Sequence, residues 1–283
     1  MRVARYAMTE EDRWCEAGAA DFRAHYQIIS RRTAADGNMT IAEDGRIDAA
    51  QLDYSGDAVA KVDRSVLEQD GVRKAVRESG YGHLLMSDED VARSLADTMA
   101  GHRKSEPVWV FGYGSLIWSP LMEFAERRPA RIHGYHRGFY LWSKVNRGSP
   151  DVPGLVLGLD AGGSCQGVVY RLHDEQQMVD LGLLWRREMI MGTYMPRWVK
   201  ANIGGRVVRA IAFIVNRKKP GYTGRLDDQH IVSIALKAHG HYGTCADYLI
   251  NTATSLEVAG IADPRLSRLA KLVAQAGDTK SGS

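Results

Sequence analysis

Cysteine is nearly absent from this chain: Cys15, Cys165 and Cys245 are the three among 283 residues. Disulfide scaffolds and zinc ribbons need more cysteines, or closer spacing. A reducing cytoplasm is therefore the expected compartment. Charge of one sign is also scarce. The formal net charge is +3, and no dense Lys/Arg stripe interleaved with aromatics runs through the sequence, so nucleic acid is not an expected partner. No apolar run approaches the roughly 18 residues needed to cross a bilayer. The first residues, MRVARYAMTEEDRW, lack the apolar stretch of a secretory leader. No membrane partner is expected, and the sequence leaves the oligomeric state open. What remains is a composition of 45% hydrophobic and 25% charged residues, which fits a globular protein of one large domain or two small ones.

The texture changes along the chain. Residues 1–85 are polar and charge-mixed, as in AADGNMTIAEDGRIDAAQLDYSGDA. Such a stretch does not easily offset its ordering entropy, and we expect a poorly ordered extension in which any helices are short. Its end runs into a cleaner helix signal, SDEDVARSLADTMAG, with Ser87 as N-cap and Val91, Leu95 and Met99 on one face. After Glu106-Pro107 come short β-rich runs: VWVF, GFYLWS, GLVLGL, GVVYRL and RAIAFIVN, each bounded by Gly, Pro, Asn or Asp. One helix, from Asp174 to Glu188, separates the fourth and fifth. A long helical region starts near Asp228, and residues 277–283 read as a disordered tail. Many short strands with few long helices predict an α+β fold over residues 86–276: a small, partly closed mixed β-barrel with peripheral helices.

Two local features suggest chemistry. The first is VWVFGYGSLIW at 108–118, an apolar strand broken by two glycines around a tyrosine. A dinucleotide loop needs a third glycine and a helix start, and a P-loop needs G-K-[ST]; neither is here. Ser115 is not in a G-x-S-x-G elbow. Glycines tolerate positive φ, so the turn predicts converging backbone amides that hold an anion. The plain alternative is an ordinary turn leaving a buried strand. The second feature is Glu188. At about 100° per residue, Met178, Leu181, Leu184 and Trp185 share a helical face, and Glu188 falls on it while Arg186 and Arg187 point elsewhere. A carboxyl placed there is buried, its pKa rises, and it becomes a candidate acid or base near neutrality. The alternative is a helix-end glutamate turned to solvent or paired with arginine.

In this order, FGYGSLIW at 111–118, the Arg147-Gly148 and Pro153-Gly154 pairs, and LLWRREMIMGTYMPRW at 183–198 resemble the ChaC family, in its bacterial branch. The resemblance implies a γ-glutamylcyclotransferase-like barrel and a glutathione-specific γ-glutamylcyclotransferase activity. It implies that Tyr113, Gly114, Ser115 and Leu116 hold the γ-glutamyl group and that Glu188 is the catalytic glutamate. Tyr194, Arg147 and Tyr248 match further family positions. Two places depart from the pattern: Asn146 stands where many members have histidine, and GHYG at 240–243 replaces a Gly-Pro-x-Gly turn.

The implied reaction needs no cofactor and no metal. The α-amine of the γ-glutamyl residue attacks its own γ-carbonyl, forming 5-oxoproline and releasing Cys-Gly. Other γ-glutamyl amino acids or amines are alternative substrates, and a non-catalytic γ-glutamyl binder or regulator is a different class of answer. His239, His241 and Cys245 form H-x-H-x₃-C, which lacks a further ligand at a clear spacing and reads as a turn rather than a metal site. Cys165 and Cys245 have no partner pattern for thiol catalysis.

Overall fold

The computed structural model describes residue 62 and residues 64–281. Three helices come first: α1 (Arg64–Glu68), α2 (Gly71–Glu78) and α3 (Asp88–Ala100). The order over 64–84 departs from the poorly ordered extension expected through residue 85, and its cause is apolar. Val72, Ala75 and Val76 recur at i, i+3 and i+4, and with Leu67 they are buried against Val145, Leu183, Ile190 and Tyr242. The rest of that extension, 1–61 and 63, lies outside the described residues. The helix predicted after Ser87 is α3, and the Ser87 hydroxyl caps it by accepting the Asp90 N–H at 3.1 Å.

Five strands close into a barrel: β1 (Trp109–Gly112), β2 (Phe124–Ser143), β3 (Gly154–Leu172), β4 (Tyr194–Ile203) and β5 (Arg206–Val215), in the order β1-β3-β2-β4-β5. Parallel pairing of Trp109 with Ala210 and of Val110 with Ile211 makes the closure, which removes the open edges. β2 and β3 form one long antiparallel ribbon from Phe124↔Leu172 to Ser143↔Gly154, bent by irregularities near Phe124, His133 and Phe139. GLVLGL and GVVYRL, which look like two strands, are the two ends of β3. The chain passes through DAGGS without breaking, with Gly162 and Gly163 at φ +99° and +70°. β4 escapes the sequence reading because Pro196, Arg197 and Lys200 interrupt its apolar pattern. Pro196 is tolerated because β4 pairs β2 only further along, at Asn202 and Ala201.

Alternate strand residues face two cores. Phe111, Ala130, Ile132, Leu159, Val169 and Ala212 fill the barrel from strands alone. Val110, Leu157, Tyr170, Ile211 and Phe213 face outward to the helices. Those helices are α4 (Gln177–Glu188), α5 (Asp228–Ala235), α6 (Cys245–Val258) and α7 (Pro264–Ser281). The single helical region expected from Asp228 is thus three helices, separated by the small β6–β7 hairpin (His239–Gly240, Gly243–Thr244) and by a link after Gly260. α7 carries the backbone through Ser281, into the segment expected to be a disordered tail. Among the described residues, no helix is long and apolar enough to cross a membrane.

Candidate active site

β1 delivers the glycine loop to one end of the barrel. Neither Gly112 nor Gly114 adopts positive φ, contrary to the expected nest; Gly114 has φ −136°. Glycine is needed there for closeness. A Cβ on Gly112 would meet Leu116 Cβ and the Tyr170 ring at 3.2 Å, and one on Gly114 would meet Tyr248 Oη at 3.1 Å. The chain then makes a short 3₁₀ turn over Ser115–Ile117, bonded by Ile117 N–H to Gly114 C=O at 2.9 Å and Trp118 N–H to Ser115 C=O at 3.2 Å. The amides of Ser115 and Leu116 precede the first donor of that turn, Ile117 N–H, so the turn's own bonds do not use them. Both residues line the cleft. Two bonds pin the loop from behind. Tyr113 Oη donates to Phe213 C=O at 2.8 Å, and the buried Arg137 donates to Tyr113 C=O at 3.0 Å while pairing with Asp263. Arg137 is a supporting residue that sequence reasoning missed.

Glu188 ends α4. Leu181, Leu184 and Trp185 are fully buried along the expected face, whereas Met178 is 52% exposed, so the apolar stripe starts one turn later than the sequence suggests. The Glu188 side chain is 12% exposed. Burial pushes its carboxyl above the ordinary value of 4.5, and the Arg187 guanidinium pulls the other way. Arg187 does not point elsewhere, as helical spacing implied. It enters the same cleft, with Nε 3.2 Å from Glu188 Oε1, one Nη 2.5 Å from Ser115 Oγ and the other 2.8 Å from Ser119 C=O. A long side chain spans the 100° offset that a shorter one would not.

Two tyrosines clamp one residue of β3 through its two backbone groups. Tyr194 Oη donates to Leu157 C=O at 2.9 Å, and Tyr248 Oη accepts Leu157 N–H at 3.2 Å. Burial, with the Glu188 charge adding, holds the Tyr113 and Tyr194 phenols well above their ordinary value; Tyr248 is pushed up to about 12. All three are therefore neutral hydroxyls at physiological pH.

Arg147 lies in the β2–β3 connection and is 5% exposed. Its guanidinium donates to Tyr242 C=O and sits 5.7 Å and 5.6 Å from the rings of Trp118 and Tyr248. Among the described residues no carboxylate pairs with it, and burial lowers its pKa. The spacing of Arg147-Gly148 and Pro153-Gly154 has a steric cause: a Cβ on Gly148 would come 2.0 Å from Gly154 N, and one on Gly154 would come 2.1 Å from Arg147 O. The neighbouring Asn146 has a buried Oδ1 with no hydrogen-bond partner among the described residues.

All eight candidate residues line one cleft with two parts. The inner part, about 20 Å³, is walled by Tyr113, Gly114, Ser115, Leu116, Leu157, Glu188, Tyr194 and Tyr248. The outer part, about 120 Å³, shares Ser115, Glu188, Tyr194 and Tyr248 and adds Arg147, Asn146 and Arg187. A wider, shallower groove of about 640 Å³ runs between α3 and β4. Of the candidates, only Tyr194 reaches it, and it holds no comparable buried carboxyl. The H-x-H-x₃-C residues sit on the β6–β7 hairpin and the start of α6, where the buried Cys245 thiol bonds to the Leu155 backbone at 3.3 Å. Cys165 is buried within β3. Among the described residues, no group of three His, Cys, Asp or Glu side chains is placed to hold a metal.

Comparison with known proteins agrees with this architecture. The family described as ChaC-like protein matches residues 108–276. The glutathione-specific gamma-glutamylcyclotransferase of Escherichia coli (strain K12) is 41% identical over 196 residues, 69% of this chain and 83% of that protein. Glutathione-specific gamma-glutamylcyclotransferase 1 of Homo sapiens is 31% identical over 160 residues, 55% of this chain and 72% of that protein. The crystal structure of a yeast gamma-glutamyl cyclotransferase specific to glutathione superposes with a TM-score of 0.56 at 23% identity, covering 60% of this chain and 96% of that one, and so shares the fold. This chain belongs to the ChaC-like protein family.

Proposed function

We propose that the chain is a glutathione-specific γ-glutamylcyclotransferase, converting glutathione to 5-oxoproline and Cys-Gly. The observation that carries this reading is Glu188: a carboxyl held out of water in the same cleft as the turn at Ser115–Leu116. The relatives' shared activity supports it.

The reaction is internal. The substrate's α-amine and γ-carbonyl already belong to one residue, so the protein's main task is to fold the γ-glutamyl arm into a ring-closing shape. The small inner part of the cleft suits that task. Its turn amides and the neutral hydroxyls of Tyr194 and Tyr248 supply hydrogen bonds without adding charge. Glu188 takes a proton from the α-ammonium, freeing the amine to attack. A C–N bond forms to the γ-carbon, and the bond from that carbon to the cysteinyl nitrogen breaks. Glu188 returns its proton to the departing nitrogen. The second proton shed by the attacking nitrogen follows the same route, so Cys-Gly leaves as an ammonium and no water is consumed. A group whose pKa has risen toward neutrality serves both steps better than an ordinary glutamate. Arg147, a buried cation with no carboxylate partner among the described residues, is the natural seat for a carboxylate of the substrate.

The test is to incubate the purified protein, without added metal, with glutathione and in parallel with γ-glutamyl-alanine, and to follow 5-oxoproline. Product from glutathione alone is expected. Product mainly from the dipeptide would move the substrate class, and no product from either would reject the enzyme reading.

A further inference from the structure

We propose that α2 sets the leaving-group specificity of the cleft, with Val72 and Val76 as specificity-determining residues that back the wall beside the cysteinyl side chain. The inference rests on the cyclotransferase reading above and adds to it a role for a segment that lies upstream of the matched family region, residues 108–276.

The outer part of the cleft is bounded on one side by Val62, Val72 and Val76, together with Val145, Ile190 and Met191. Val72 and Val76 are 4% and 1% exposed, one helical turn apart on the same face of α2. Four contacts fix this wall relative to the reacting centre. Arg64 on α1 pairs at 2.8 Å with Asp180, which lies on α4, the helix that ends in Glu188. Arg186 Nη1, also on α4, donates to Leu67 C=O at 3.4 Å. Ser119 Oγ, next to the glycine-loop turn, donates to Val62 C=O at 3.4 Å. Met86 N–H donates to Ile190 C=O at 2.9 Å, just beyond Glu188.

Position along the cleft decides what meets this wall. The glutamyl arm belongs in the inner part, against the Ser115–Leu116 amides, and the scissile carbonyl belongs near Glu188. The leaving dipeptide must then occupy the outer part. Its two ends differ chemically. The glycyl carboxylate seeks a cation, and Arg147 lines the same space. The cysteinyl side chain is small and uncharged, and the valine wall suits it.

The experiment compares kcat/KM for glutathione and S-methylglutathione in the full-length parent, Val72→Ala and Val76→Ala, each checked by thermal melting. Removing wall methyls should raise the ratio of S-methylglutathione to glutathione by about tenfold, the usual effect of a methylene-sized change in an apolar pocket. Val76→Ile, which adds one methylene and keeps the apolar face, should lower that ratio and covers the case in which an alanine variant does not fold. A ratio that stays within about twofold of the parent in every folded variant would overturn the inference while leaving the cyclotransferase reading intact. A parent that makes no 5-oxoproline from glutathione would reject the underlying reading, and the inference with it.

Discussion

Arg187 Nε stands 3.2 Å from Glu188 Oε1, and the two neighbouring side chains enter one cleft from the end of α4. Their effects on the carboxyl oppose each other: burial raises its pKa and the guanidinium lowers it, with burial the larger. The proposed base must be ionised to accept the ammonium proton, so kcat/KM should fall as pH drops through the raised pKa of Glu188. Removing the guanidinium in Arg187→Met removes the opposing effect and should move this acid limb to higher pH. If Arg187 served only to hold Ser115, the rate would drop with the limb unmoved. A pH–rate profile of the two proteins separates these outcomes.

Arg147 should act through binding. It is a buried guanidinium that donates to a backbone carbonyl and has no carboxylate partner among the described residues. Arg147→Met should raise KM for glutathione by about tenfold or more, the value of a lost charge-assisted hydrogen bond, with a smaller change in kcat. Arg147→Lys should recover only part of the loss, because an ammonium does not reproduce the planar contact with Trp118 and Tyr248. Steady-state kinetics in which kcat falls and KM stays fixed would speak against this role.

Gly114 and Tyr248 should behave as a coupled pair. A methyl on Gly114 points at Tyr248 Oη from 3.1 Å, so Gly114→Ala should push the loop and the phenol apart and cut kcat/KM by roughly tenfold or more. Tyr248→Phe removes the contacted oxygen but leaves Leu157 N–H without its acceptor, at a cost of about 1–3 kcal/mol. In the double variant the space vacated by the hydroxyl leaves room for the new methyl, so the combined loss in kcat/KM should be smaller than the product of the two single losses. A double-mutant cycle measures this, and strict additivity would contradict the packing account.

Arg64 should matter for stability. Its partner Asp180 is 1% exposed, so Arg64→Ala leaves a buried carboxylate without its cation. Arg64 is itself 35% exposed, which reduces the value of the pair below that of a fully buried one, to about 1–3 kcal/mol. Urea unfolding should show that loss, and Asp180→Asn in the same background should restore part of it.

The legible parts of this protein were those where local pattern and tertiary role coincide. Ser87 announces α3 because an N-cap is a local bond, and Glu188 stands out because a charge interrupts an apolar face. The parts that stayed hidden depend on residues far apart in sequence. β3 continues through DAGGS because β2 lies beside it, a pairing that no window around Gly162 reveals. Gly114 looks like a residue chosen for its backbone freedom, yet its need is room for Tyr248, which lies on α6. Arg187 reads as an outward charge on a helical wheel and turns inward because Ser115 and Ser119 offer it oxygens. Arg137 carries no local signal, since its partners are Tyr113, Gln166 and Asp263. Val72 and Val76 form a short stripe inside a polar stretch, too brief to outweigh its composition.

The central claim is that Glu188 moves the protons. The most direct measurement is kcat for glutathione in Glu188→Gln, beside thermal melts of both proteins at two pH values. The folded-state pKa of Glu188 is raised, so its favourable contribution to stability is present below the ordinary value of 4.5 and is lost as pH rises through the folded value. The amide escapes that loss. The variant should therefore be at least as stable as the parent at neutral pH, with the gap closing in acid. Its kcat should be lower by about 10² to 10⁴. A folded Glu188→Gln protein that turns glutathione over within a few-fold of the parent would contradict the account.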